Sequence, residues 1–237
     1  MADSFYFAPC GPACFVAHYR QQHRMSKPLH LLVFGATGGT GRHLVTQALA
    51  QGHHVTAFVR IPAKLGLTHP QLRMVMGDVL AYADVLAAMP GHDAVLCALG
   101  TPSAQHDTLR SAGTRHILQA MQTCAIQRFI CLTTLGIGDS KAALPFLYKY
   151  ILVPLVLRHA FADSETQEQL IRQSPVAWTI ARPGELTNGP QTGAYQHGFA
   201  ATAKGLRIKI ARADVAEFML RQLHEPTYLR QAVSLSY

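Results

Sequence analysis

The residues best suited to chemistry form a string rich in glycine, Gly35-Ala36-Thr37-Gly38-Gly39-Thr40-Gly41. It stands directly between an apolar run, Leu31-Leu32-Val33-Phe34, and a segment with helical spacing. Glycines there let the backbone turn tightly and approach a pyrophosphate with no side chain in the way. The helix that follows offers free N–H groups and its positive end to the same anion. A glycine-rich string alone is a weak signal, but within a strand–turn–helix–strand unit it points to a dinucleotide cradle rather than a merely structural turn.

The end of the second strand refines the ligand. A site for NAD usually carries Asp or Glu there to accept from the ribose 2′-OH; this sequence has Val59-Arg60, with Lys64 four residues on. Cations at that point suit a 2′-phosphate, so NADP(H) is the expected cofactor. Asp78 follows the third apolar run and has two readings, a carboxylate meeting the adenine edge or a turn former after Gly77.

Other residue types carry less. No Lys has a Tyr four positions before it, and Tyr148-Lys149-Tyr150 has the wrong spacing, so a Tyr-x-x-x-Lys proton donor is not expected. Among 13 histidines, His53 and His54 would point to opposite faces of a strand, and His159 with Asp163 lacks a third ligand. No metal site is expected. Cys97 and Cys131 lie inside apolar strands and read as core. Tyr195 and Phe199 either stack on a planar substrate or pack their own loop.

The elements that must position these residues alternate regularly. Strands are expected at 31–34, 54–59, 72–76, 94–99, 128–133 and 176–181, with helices over 40–51, 81–89, 103–124 and 162–173. Apolar strands alternating with helices imply a parallel sheet covered on both faces. Beyond 181 the pattern loosens: residues 185–204 read as a loop or lid, 206–211 as a strand, 214–223 as a helix and 232–235 as a last strand. The apolar stretch near 145–159 reads as helical. Residues 1–28 have no sustained period and read as a loose or spurious N-terminal extension, with Met25 as a candidate start.

Composition sets the outer limits. The chain has 237 residues, 49% hydrophobic and 14% charged, enough for a sizeable core in one domain. No apolar run is long enough for a membrane-spanning helix, since Pro145, Lys149 and Pro154 interrupt the best candidate. Five cysteines without a Cys-x-x-Cys pair favour reduced thiols and a cytoplasmic setting. A net charge of +8 favours an anionic partner. The basic residues are dispersed, so nucleic acid is not expected. Peripheral membrane contact stays open, and a monomer is the default.

Taken together, Gly35 to Gly41, Val59-Arg60, Gly77-Asp78-Val79, Leu99-Gly100-Thr101, Thr179-Ile180-Ala181-Arg182-Pro183-Gly184, Thr192-Gly193-Ala194-Tyr195 and Arg212-Ala213-Asp214-Val215-Ala216 resemble the atypical short-chain dehydrogenase/reductases. The nearest likeness is to their NAD(P)H-binding, NmrA-like group, which includes biliverdin-IXβ/flavin reductase. The resemblance runs from about residue 29 to the C-terminus. It implies a Rossmann-type doubly wound parallel sheet with helices on both faces, in a single domain from residue 29 to 237. Segments 135–160 and 185–205 would form the substrate pocket and lid.

By that resemblance Gly35, Thr37, Gly38, Gly39 and Thr40, with Gly41 in the same string, would hold the pyrophosphate. Arg60 and Lys64 would take the 2′-phosphate, and Asp78 and Val79 would flank the adenine. Leu99, Gly100 and Thr101 would line the ribose, while Thr133, Pro183, Gly184 and Glu185 would lie beside the nicotinamide. Thr134 matches the reductase's serine and is the catalytic candidate. That reductase's histidines are replaced by Glu168 and Gly184, which argues against bilin as substrate. Two functions follow: an NADPH-dependent reductase of a flavin, quinone or similar conjugated acceptor, and a non-catalytic NADP(H)-binding sensor or scaffold of NmrA-like type. Hydroxyls kept beside the cofactor favour the reductase.

Overall fold

A computed structural model of the chain describes residues 27–100, 108–143, 157–200 and 206–237, together with 155 and 203. Except for 27 and 28, the expected N-terminal extension lies outside the described residues, as do Thr101 and most of 145–159.

The first half alternates as expected. Strand β1 (His30–Phe34) leads into α1 (Gly39–Ala50), β2 (His54–Val59) and β3 (Leu72–Met76). Then come α2 (Tyr82–Ala88), β4 (Ala94–Cys97), α3 (Leu109–Thr123), β5 (Arg128–Leu132), α4 (Arg158–Gln173) and β6 (Ala177–Pro183). Strands β1, β2, β4 and β5 are buried along nearly their whole length because both faces of the sheet are covered. Successive side chains divide between two cores. Leu31 and Val33 join Leu44, Val45 and Phe218 on one face, whereas Leu32 and Phe34 join Val85, Ile117, Met121 and Ile171 on the other.

The second half has more structure than the sequence pattern shows. The stretch expected to be a loop holds two short strands, β7 (Glu185–Thr187) and β8 (Gln196–His197). Neither has an apolar alternation long enough to read, and each exists only through its partner. Strand β7 pairs with β9 (Lys209–Ala211), and β8 runs antiparallel to β10 (Gln231–Ser236). Helix α5 (Arg212–Arg221) begins two residues earlier than its apolar period suggests, directly after β9. The register of β9 therefore sets its start.

The eight-stranded sheet has the order β3-β2-β1-β4-β5-β6-β10-β8, parallel throughout except for β8. Chain direction across the sheet reverses between β1 and β4. In such doubly wound sheets that switch point opens a crevice at the carboxyl ends of the strands. The expected fold class is the observed one. Among the described residues no helix is long and apolar enough to cross a membrane.

Candidate functional site

The crevice at the switch point is a cleft of about 580 Å³. Phe34 and Phe58, with ring centres 4.9 Å apart, help line it where β1 and β2 end. Helix α1 starts at its rim. Its N-cap, Gly38, has extended backbone and no side-chain cap, so no capping side chain occupies the first-turn N–H groups facing the cleft. Two glycines are required by backbone contact alone. A Cβ at Gly35, where φ is +75°, would lie 2.3 Å from the carbonyl oxygen of Ala98, the residue that follows β4. A Cβ at Gly41 would lie 2.0 Å from the Gly35 oxygen, because α1 folds back onto the turn that precedes it.

Most of the expected residues meet here. Gly35, Thr37, Gly38, Gly39, Thr40, Arg60, Lys64, Val79, Leu99, Gly100 and Thr133 all line the one cleft. Arg60 and Thr133 stand at opposite ends of it, beyond β2 and β5. Three strand spacings separate them, about 14 Å. Arg42, in the first turn of α1, ties the glycine loop to the Lys64 turn. Its Nε donates to the Thr37 carbonyl at 3.4 Å and its Nη2 donates to the Lys64 carbonyl.

Other expected residues lie elsewhere. Gly41 is buried beneath the loop and acts on the cleft only through its shape. Asp78 makes a turn: its Oδ1 accepts from Leu80 N–H at 3.0 Å, while its own N–H donates to Asp84 Oδ2 at 2.9 Å. Pro183 ends β6 with its carbonyl accepting from Leu135 N–H. At Gly184 a Cβ would collide with the Ile208 oxygen at 2.5 Å, and Glu185 pairs with Lys209 at 3.6 Å. These residues build the β7–β9 ribbon, and it is the next one, Leu186, that reaches the cleft. The Thr134 hydroxyl donates to the Leu135 carbonyl at 3.4 Å and does not line the cleft.

Two further cations line the cleft, Arg110 and Arg212. Arg212 lies over the glycine loop so closely that a Cβ at Gly39 would meet its Cδ at 2.6 Å. Its Nη1 donates to Asn188 Oδ1 at 2.6 Å. With Arg60 and Lys64 the lining has four cationic side chains and, among the described residues, no carboxylate. Nothing local marks Arg212 as a site residue. The signal lay in its motif, Arg212-Ala213-Asp214-Val215-Ala216, whose Asp214 is fully buried. Asp214 accepts from Thr192 N–H, Thr192 Oγ1, Gly193 N–H and Tyr237 Oη at 2.6–2.9 Å. Burial alone would raise its pKa, but these donors outweigh burial and hold it below the usual value. The Thr192–Tyr195 and Arg212–Ala216 motifs are thus one structural unit that places Arg212.

At the far end, the Thr133 hydroxyl donates to Oε1 of buried Glu168 at 2.8 Å. Glu168 in turn is gripped by Arg182, only 1% exposed, which also bonds Asp139 at 2.8 Å. Burial opposes the charge on Arg182, yet its bonds to the two carboxylates raise its pKa. Tyr195 packs edge-on against Phe218 and donates to Glu217, so its ring is engaged within the protein. Among the described residues no three His, Cys, Asp or Glu side chains form a metal-binding group.

The cleft can hold an extended, multiply anionic ligand, and comparisons with known proteins point the same way. The family model described as NAD(P)H-binding matches residues 35–226. An uncharacterised chloroplastic protein of Arabidopsis thaliana is 31% identical over 176 residues, 70% of this chain and 62% of its own length. A 3-beta-hydroxysteroid dehydrogenase of Mycolicibacterium neoaurum is 32% identical over 112 residues, 42% of this chain and 30% of the enzyme. The chain thus spans less than two thirds of either relative. Among solved structures, ChuY of Escherichia coli O157:H7, an anaerobillin reductase, superposes with a TM-score of 0.72 at 25% identity, covering 87% of this chain and 96% of ChuY.

Proposed function

From a chain that belongs to the NAD(P)H-binding family, we propose an NADPH-dependent reductase that transfers hydride to a flavin, quinone or similar conjugated acceptor. The observation that carries the reading is the cleft itself, with its uncapped helix N-terminus and, among the described residues, four cations and no acidic side chain.

Several of the lining residues have the chemistry that cofactor needs. The N–H groups of the Gly38–Gly39–Thr40 turn and Arg212 would hold the pyrophosphate. Arg60 and Lys64, on the side of β2 where an NAD site would place a carboxylate, would take the 2′-phosphate. Val79 and Leu99 offer apolar walls for the adenosine half. Thr133 and Leu186 would border the nicotinamide. Bound there, the cofactor supplies the hydride. The protein's part is to set the reacting rings face to face, the positioning role that dominates when a cofactor carries the chemistry.

The acceptor class follows from two features: Leu132, Thr133 and Leu186 all line the cleft, and no Lys of the sequence has a Tyr four residues before it. ChuY is an anaerobillin reductase, which keeps tetrapyrroles within the panel to be tested. The free thiols of Cys97 and Cys131, cross-strand neighbours buried in the sheet, suit a reducing compartment such as the cytoplasm.

The test uses purified protein with NADPH or NADH and a panel of flavin mononucleotide, riboflavin, biliverdin and short quinones, followed by loss of reduced-nicotinamide absorbance. Turnover above the protein-free control with NADPH preferred is the expected result. Tight NADPH binding with no turnover of any acceptor would replace the reductase by a cofactor sensor. Failure to bind either cofactor would refute both.

A further inference from the structure

Thr133 stands just beyond β5 and lines the cleft beside Leu132. Its hydroxyl donates to Glu168 Oε1 at 2.8 Å. Glu168 is 4% exposed and held by Arg182 in a two-pronged pair, Nε to Oε1 at 2.9 Å and Nη2 to Oε2 at 2.6 Å. Arg172 Nη2 adds a second cation, 3.7 Å from Oε2. With both oxygens taking bonds from the guanidinium fork and a second guanidinium beside Oε2, the carboxylate serves its neighbours as an acceptor. A threonine hydroxyl has one proton to give. Here that proton is committed to Glu168, and what Thr133 has left for the cleft is lone pairs.

We infer that Thr133 presents a hydrogen-bond acceptor, and not a donor, to the redox end of the cleft, and that it recognises an N–H group there. The inference rests on the proposed cofactor reading. The N–H has two sources, the carboxamide of the nicotinamide or a ring N–H of the acceptor. Glu168 is a positioning residue, acting on the ligand only through the direction it imposes on Thr133. In the reduction, NADPH gives a hydride to the acceptor and becomes NADP⁺, and the acceptor takes one proton as well. With its hydrogen held by Glu168, Thr133 does not deliver that proton. Solvent water does.

The test separates the two sources by removing the donor from one ligand at a time. Fluorescence titration compares NADP⁺ with its 3-acetylpyridine analogue, which has a methyl ketone where the carboxamide carries N–H. Steady-state KM compares riboflavin with N3-methylriboflavin. Wild-type protein should prefer the N–H-bearing member of one pair by about five- to tenfold, the worth of one hydrogen bond. Thr133→Val should erase that preference and Thr133→Ser should retain it. Glu168→Gln offers an amide N–H to Thr133 and frees its proton for the cleft. It should therefore reverse the preference, which a purely structural defect would not do.

A preference in the cofactor pair places the N–H on the nicotinamide; one in the flavin pair places it on the acceptor. No preference in either pair, or a preference that survives Thr133→Val, overturns the inference while leaving NADPH binding intact. If wild-type protein binds neither cofactor, the functional reading fails and the inference falls with it.

Discussion

Replacing Gly41 by alanine gives the sharpest test of how α1 closes on the glycine loop. The added Cβ would sit 2.0 Å from the Gly35 oxygen, 2.8 Å from its carbonyl carbon and 2.9 Å from Ala36 Cα. Ordinary contact begins near 3.4 Å, so backbone must yield by about 1.4 Å, and no flexible side chain is available to absorb it. Gly35 cannot retreat, because it is itself packed against Ala98 and Leu99 of the next strand segment. Overpacking of this kind costs ~3 kcal/mol, at the upper end of the usual range. In a domain of this size that lowers Tm by roughly 6–12 °C. Displacing the phosphate-facing turn should also weaken NADPH binding, because its N–H groups would no longer converge on the anion.

Gly38→Ala is the paired control. Its Cβ meets only the Gly35 oxygen at 3.3 Å and alanine is the poorer N-cap, so Tm should fall much less than in Gly41→Ala. If the backbone there approaches a pyrophosphate, affinity should still fall. The assay is a thermal melt and an NADPH fluorescence titration on both variants. A Gly41→Ala protein melting within about 2 °C of wild type would refute the closure argument. A Gly38→Ala protein that binds NADPH normally would refute the pyrophosphate assignment.

Three further outcomes are expected. Arg60→Asp should weaken NADPH far more than NADH, because it sets a carboxylate against the 2′-phosphate; equal loss in both titrations would remove that assignment. Arg182→Ala should destabilise by ~3–5 kcal/mol in a urea unfolding curve, since it leaves buried Glu168 without its guanidinium fork. Stability should also fall on acidification through His53. Burial first, and His224 second, lower its pKa below 6.5, and its Nδ1 accepts from Leu29 N–H. The unfolded chain therefore binds that proton first, so the contribution is complete above pH 6.5 and declines as pH falls toward the folded pKa. His53→Asn should flatten this part of the profile, and an unchanged slope between pH 7 and 5 would rule His53 out.

The chain's own pattern determined the Rossmann-type half of the molecule. Buried strands such as Leu31–Phe34 and Ala94–Cys97 declare themselves because a sheet covered on both faces needs apolar residues at every position. The turn at Gly35–Gly41 declares itself because no other residue fits two backbone collisions. Arg60 and Lys64 were legible for the same local reason, as they follow β2 by a short, fixed spacing. Where the partner is distant, the sequence is silent. Strands β7 and β8 have too few residues for a period, and they form because β9 and β10 accept their backbone bonds. Arg212 reaches the glycine loop only once α5 packs on α1 and Asp214 fastens the 192–193 turn. The Thr133 hydroxyl proton is drawn away from the cleft by Glu168, 35 residues along the chain, itself held by an arginine on another strand. Local periodicity and turn chemistry act over a few residues and can be read from order alone, whereas the direction of one hydroxyl depends on charges that only tertiary packing brings together.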